Sequence, residues 1–425
     1  MAITNKRLTW PEKSLWCAQI FLWAMLFCLP FSHFLVNQFV FLSAIFVLLS
    51  GCYKEKWLRL KQYKSVLWIL LFILMVGLSI TYSSATVSKA FSFFNKYTKL
   101  LYIIFLLHIC QTEKRRQISL NVLLCGITIA TILAFLYSIH LADYSFTTRW
   151  PKIFARSGID GLFINILHFS VLQSFALYLL LVRIFKKQSL SLSIVLFVLI
   201  SFDLFYFNTE RTGCLAAVAL IYLAMFQYLL KSKIKFFTAI SIATILSLVI
   251  IFTSPGFLSK LRLASSEVKN YSVAVAVPDN SLALGSVGLR LEFIKGSLRI
   301  MKKNPWFGTG VGSFATEYNR TGAALMPDRK ELWDPHNAFL MIGVQMGIVG
   351  LLLFALLLLM LLRDIHRLPF YETCIGYAIG LLFVINSLLN ATLIDNTVGY
   401  LYVTLTAILL SSLPHLKKKS RDLKS

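Results

Sequence analysis

His336 stands in the segment Trp333-Asp334-Pro335-His336-Asn337, directly ahead of a long apolar run. A neutral imidazole can take a proton from an attacking hydroxyl near neutral pH. Pro335 fixes the approach of the chain, so the ring is held at the mouth of the helix that follows. Arg211, in Asn208-Thr209-Glu210-Arg211-Thr212-Gly213, lies where one apolar run ends and the next begins. An arginine at a hydrocarbon edge is costly unless it snorkels or meets a partner. Its plain alternative is a pairing with Glu210. Arg290 lies in a polar stretch with a helical pattern. A guanidinium fork can bind phosphate oxygens two at a time. Asp395 occupies a short turn between the last two apolar runs and, taken alone, is an ordinary loop acid.

The elements that must position these residues are membrane helices. The chain has 425 residues, 58% of them hydrophobic and 14% charged. Its mean hydropathy is +0.74. A soluble domain is nearer half apolar and about a quarter charged. Apolar runs of ~17–25 residues recur, each able to cross about 30 Å of hydrocarbon. The pattern predicts about twelve spans, at 16–35, 36–53, 65–82, 95–110, 119–141, 161–182, 189–207, 214–230, 236–253, 337–362, 373–390 and 398–414. The fourth is short and carries Lys96 and Lys99 at its start. The expected fold class is therefore all-α, a polytopic integral membrane protein.

A formal charge of +24 would suit a nucleic-acid partner, but its distribution excludes one. Basic clusters fall in every second loop: Lys54 to Lys64, Lys114 to Arg116, Arg183 to Lys187, Lys231 to Lys235, Arg363 and Arg367, and the tail from Lys417. This is the positive-inside pattern, and it puts both termini in the cytoplasm. Lys6, Arg7 and Lys13 resemble the charged start of a signal peptide. No small-residue cleavage site follows, so the first span is expected to be an uncleaved anchor. The chain then divides into nine helices over 1–253, a large outward loop over 254–336, and three helices with a basic tail over 337–425.

That loop holds eleven Lys and Arg against seven Asp and Glu, a net charge of +4. Lipid phosphates account for most of such a charge, and an anionic ligand is the sharper reading. From Ser286 to Lys303 the pattern is helical. Val287, Leu291, Ile294, Leu298 and Met301 form one apolar stripe, as on a helix lying on the membrane or on the bundle roof. Lys295, Arg299, Lys302 and Lys303 flank one side. Arg290 falls alone on the other and points toward protein. Pro305 ends the helix. Gly308-Thr309-Gly310-Val311-Gly312 lacks the lysine and the preceding strand of a nucleotide loop and reads as a tight turn. The seven cysteines lie in or beside spans, so no disulfide frame is expected. No histidine pairs with another at metal-ligand spacing, so neither a metal nor another cofactor is expected.

Four pieces of this sequence together resemble the O-antigen ligase and O-antigen polymerase superfamily of bacterial membrane glycosyltransferases. Thr209-Glu210-Arg211-Thr212 is similar to the family's Arg-Thr element. Gly288-Leu289-Arg290-Leu291-Glu292 is similar to the start of its external helix. Asn304-Pro305-Trp306-Phe307-Gly308-Thr309-Gly310-Val311-Gly312-Ser313-Phe314 resembles its glycine turn. Pro335-His336-Asn337-Ala338-Phe339-Leu340, running on to Gly350, resembles its His-Asn element and following span. The pieces cover roughly the second half of the chain, and the first half matches only as a series of spans.

The resemblance implies a GT-C-like fold and a donor glycan on undecaprenyl diphosphate, transferred on the periplasmic face of the inner membrane. The single large loop looks most like the ligase arrangement, in which the acceptor is the lipid A core oligosaccharide. Polymerases more often show two sizeable external loops. Protein-directed members tend to be longer at the C-terminus, and a chain stopping soon after its last span argues against that branch. The resemblance makes His336 the expected base. Arg211 and Arg290 become the diphosphate clamp in place of a metal, and Asn337 and Asp395 the residues that orient base or acceptor. A single displacement would invert the anomeric centre. A lipid-linked glycan flippase is the alternative of a different class. It should show paired halves or midplane ionisable residues. The sequence has no clear internal repeat, and Asp203 is the only acid well inside a span.

Overall fold

The computed structural model describes residues 9–138, 164–208, 210–230, 232–253, 286–321 and 334–413, with short pieces between 259 and 269. The loop 142–160, much of 254–336, and both basic ends at Lys6, Arg7 and Lys417 lie outside the described residues. Every element among the described residues is helical.

Six helices are long and apolar enough to cross a membrane. The first half begins with α1 (Trp10–Cys28), α2 (His33–Leu49), α3 (Tyr53–Leu60) and α4 (Lys64–Leu78). α5 (Val87–Tyr97), α6 (Tyr102–Leu106) and α7 (Glu113–Ser138) follow. Next come α8 (Ile166–Phe185), α9 (Leu190–Phe202), α10 (Arg211–Leu229) and α11 (Lys233–Thr253). α12 (Ser286–Lys303) and α13 (Phe314–Arg320) lead to α14 (Ala338–His366), α15 (Phe370–Leu389) and α16 (Thr397–Leu410). The six are α7, α8, α9 with its π-helical end, α10, α14 and α15. They fall on six of the expected apolar runs. α2 and α3 together form a bent pair, turned by 114°. α4 and α16 are apolar but shorter.

The expected span at 95–110 is corrected. The chain there is the end of amphipathic α5, a 3₁₀ turn over Thr98–Leu101 and the five-residue α6. Lys99 is buried within this stretch and donates to the Asp395 carbonyl.

Two helices form the centre. α8 is buried without interruption from Phe169 to Val182, and every residue of α16 is buried. A helix apolar on all sides belongs inside a bundle. Small residues set the closest approach. A Cβ on Gly213 of α10 would sit 2.3 Å from the Ser170 Cβ of α8, and Ser174 Oγ donates to Gly213 O at 2.7 Å.

The apolar run of α14 is broken at Gly347, where φ is 62° and ψ is −159°. Such a break frees backbone groups that must be satisfied inside a membrane protein. The glycine turn satisfies them. Thr309 N and Gly310 N donate to Val344 O and Gln345 O at 2.9 and 2.8 Å. Ile348 N and Val349 N donate to Pro305 O and Trp306 O at 2.8 and 3.1 Å. The far side of the turn is tied to the loop after α4, where Ser83 Oγ donates to Val311 O at 2.8 Å. The tight turn expected at 308–312 is thus a plug that repairs a broken helix. A Cβ on Gly347 would lie 2.4 Å from the Trp306 carbonyl, and its φ and ψ suit glycine alone. Gly347→Ala should therefore cost at least ~2 kcal/mol, read as a lower melting temperature of the detergent-solubilised protein. Gly380→Ala, with nothing within 4 Å of the added carbon, is the control expected to melt no lower.

α12 has the bounds its pattern predicts, and its buried face is the small-residue side rather than the apolar stripe. Gly288, Glu292, Phe293, Gly296, Ser297 and Ile300 are buried, while Ile294 and Leu298 of the expected stripe are exposed. Gly296 lets the Tyr318 ring close in, where a Cβ would meet it at 2.4 Å.

Candidate active site

His336 sits between the described pieces of the polar loop and the start of α14. Its backbone is left-handed, with φ 49°, a region that suits asparagine, aspartate and histidine better than most residues. The Asp334 carboxylate holds that turn: Oδ1 accepts from His336 N at 2.7 Å. The same oxygen is 3.4 Å from His336 Nδ1. The ring is half-exposed and lies against Phe293, with centroids 5.9 Å apart. Asn337 is fully engaged in the fold. Its Oδ1 caps α14 by accepting from Leu340 N at 2.9 Å, and its Nδ2 donates to Leu388 O at 3.0 Å. The cap of α14 is therefore Asn337 and not His336. Trp333 and Thr209 lie outside the described residues.

Phe293 also links His336 to Arg290, which lies three residues earlier on α12, one turn away. Arg290 is half-buried, and burial followed by the charge of Arg211 pushes its pKa down, with Glu210 and Glu267 opposing. Two guanidinium groups from α10 and α12 are thus held close enough to feel each other. Glu267 also anchors the start of α12, accepting from Val287 N at 2.8 Å. Lys295, Arg299, Lys302 and Lys303 are exposed, on the flank that their spacing predicts.

Asp395 belongs to a neighbouring cluster rather than to the His336 ring. His168 Nε2 of α8 is 2.5 Å from Asp395 Oδ2. Val398 N donates to Oδ1 at 2.7 Å. The His33 ring packs on His168, centroids 6.2 Å apart, and Lys99 reaches the Asp395 carbonyl. Burial raises the Asp395 carboxyl, but His168, Lys99 and the Val398 N–H outweigh it and hold it down to about 2. This folded value lies below the ordinary ~3.9. The contribution to stability is therefore complete above about pH 4 and is lost as the pH falls through about 2. Asp395→Asn is expected to cost on the order of 2 kcal/mol at pH 7. A double-mutant cycle with His168→Asn, followed by thermal melting, checks it. Additive losses would show that the pair carries none of this energy.

The two clusters meet at Lys96, which feels the carboxylates of both Asp334 and Asp395. His33, His168 and Phe293 carry no signal in the sequence alone, because their partners lie far along the chain. Lys99 does carry one, as a cation within an apolar run. Among the described residues, no group of three or more His, Cys, Asp or Glu is placed to hold a metal ion.

A family model described as O-antigen ligase matches residues 195–355. The match runs from α9 into α14 and takes in Arg211, Arg290, the glycine plug and His336. Over these residues the chain is similar to the O-antigen ligase superfamily, whose members are glycosyltransferase-like enzymes of O-antigen processing. With its apolar helices, it is a multi-pass membrane protein. Comparison of the chain with curated proteins gives no match.

Proposed function

We propose that this chain is a metal-independent, inverting O-antigen ligase. It moves a glycan from undecaprenyl diphosphate to the lipid A core oligosaccharide at the periplasmic face of the inner membrane. The observation that carries this reading is that Arg290, which feels the charge of Arg211, lies one helical turn from Phe293, whose ring packs against His336. Two half-buried cations kept together repel one another, and a bound anion reverses that cost. A diphosphate is such an anion, and a guanidinium pair can take up the charge that grows on it as the glycosidic bond breaks.

In the reaction, the acceptor hydroxyl oxygen forms a bond to the anomeric carbon. The bond from that carbon to the diphosphate oxygen breaks, and its electron pair leaves with undecaprenyl diphosphate. The hydroxyl proton passes to the His336 imidazole. Asp334, beside Nδ1, stabilises the imidazolium that forms. Attack from the face opposite the diphosphate inverts the centre. Asn337 holds the turn through the helix cap, and Asp395 acts through Lys96 and the neighbouring cluster.

A deletion strain tests the reading against its alternatives. Loss of a ligase leaves long glycans on the carrier lipid. Single repeats on the carrier would instead mark a polymerase, and glycans trapped on the cytoplasmic side a flippase.

A further inference from the structure

A cavity of about 620 Å³ opens between α2, α5 and the turn from α15 to α16. That is the size of a pocket for a small ligand, ~300–1,000 Å³. Its polar lining is concentrated in Asn37 and Gln38 of α2, Asn95 and Lys96 of α5, and Asn396. The side chains of Asn37, Gln38 and Asn396 make no hydrogen bond to the described residues. Asn37 is half-buried on α2 among the apolar helices, where an open amide is costly unless something polar meets it, and Gln38 and Asn396 are exposed beside it. Each amide offers both donors and acceptors, which is what a sugar's hydroxyls require. Tyr102 and Tyr400, packed on one another with centroids 6.1 Å apart, form the apolar part of its wall.

The charge of the hollow is positive. Lys99 is committed to the Asp395 carbonyl and the Tyr400 ring. Lys96 lies over the Phe93 ring, 4.4 Å from its centroid, makes no ion pair among the described residues, and feels Asp334, which holds His336, and Asp395. The arginine pair, in contrast, is coupled to Glu210 and Glu267. The hollow and the arginine pair hold different cations: Lys96 lines the first, and Arg290 lies one turn from Phe293, whose ring packs against His336. If the arginines take the donor's diphosphate, the hollow is left for the other substrate.

We propose that this hollow binds an anionic sugar of the acceptor glycan, with Lys96 on its phosphate or carboxylate and the open amides on its hydroxyls. The proposal rests on the transferase reading above. Binding is measured on the full chain in phosphatidylcholine nanodiscs. The probe is the soluble core oligosaccharide, used as released and after removal of its phosphates and reduction of its carboxylates. The charged glycan should bind about tenfold tighter than the neutral one, the worth of a charge-assisted hydrogen bond. Lys96→Ala should abolish the difference, and Gln38→Trp, which fills the hollow from an exposed position, should weaken both. Absence of binding, equal binding of the two glycans, or a difference that survives Lys96→Ala would overturn the proposal. So would competition by phosphatidylglycerol in the nanodisc, which would make the hollow a lipid headgroup site.

Transfer kinetics separate this proposal from the reading beneath it. Lys96→Ala should raise the acceptor KM about tenfold and leave the donor KM unchanged. An unaltered acceptor KM with normal transfer would remove the hollow and keep the ligase. Lys96-dependent glycan binding without any transfer by the wild type would keep the hollow and remove the ligase.

Discussion

His336→Asn is expected to lose transfer by ~10²–10⁴-fold while the protein inserts and accumulates like the wild type. The substitution keeps what the fold needs at this position. Asparagine tolerates the left-handed backbone that His336 adopts at φ 49°. The bond from the backbone N–H of residue 336 to Asp334 does not use the side chain. The helix cap is supplied by Asn337 and stays in place. What disappears is the imidazole, and an amide takes no proton at neutral pH. Asn337→Ala should do the reverse: removal of the cap costs ~1 kcal/mol and lowers accumulation. The measurements are transfer between purified donor and acceptor lipids and the amount of protein in the membrane. Full transfer by His336→Asn would remove the residue from the mechanism.

Much of this site is legible in the amino-acid sequence alone. Arg211, Arg290 and His336 stand in motifs with apolar borders; in the fold Arg290 feels the charge of Arg211 and lies one turn from Phe293, which packs against His336. The bounds of α12 follow from its period. Its packed face does not, for a physical reason. In water an apolar stripe faces the protein, but beside a membrane the apolar stripe can face lipid. Helices then pack through small residues. Gly288, Gly296 and Ser297 do that here, while Leu298 stays exposed. The break at Gly347 is hidden in a run that reads as one continuous apolar helix. Only the partner backbone from Pro305 to Gly310 explains why a break there is stable. The same holds for Asp395. Its partner His168 lies on another helix, and no spacing rule connects the two. Lys96 and Lys99 are visible as oddities in an apolar run, and the fold makes them the lining of a polar hollow.

Arg211→Lys and Arg290→Lys should each lower transfer by about 10²–10³-fold, as the loss of a donor aimed at developing charge does. Lysine keeps the charge but not the planar fork that engages two phosphate oxygens. The double variant should lose little more than either single one, because both residues serve one diphosphate and such groups act as a unit. Lys302→Ala, on the exposed opposite flank, should leave transfer unchanged. The stability of the empty protein gives an independent check. The two guanidinium groups repel in the absence of substrate, which is why Arg290 is pushed down by Arg211 as well as by burial. Arg211→Gln removes that repulsion and should melt no lower than the wild type, although it cannot bind the donor. Groups arranged for function at the expense of stability behave in this way. A marked fall in melting temperature for Arg211→Gln would instead make the arginine a structural partner of Glu210. Greater damage from Lys302→Ala, rescue of the lysine variants by added divalent metal, or loss of wild-type transfer on chelation would also sink the clamp.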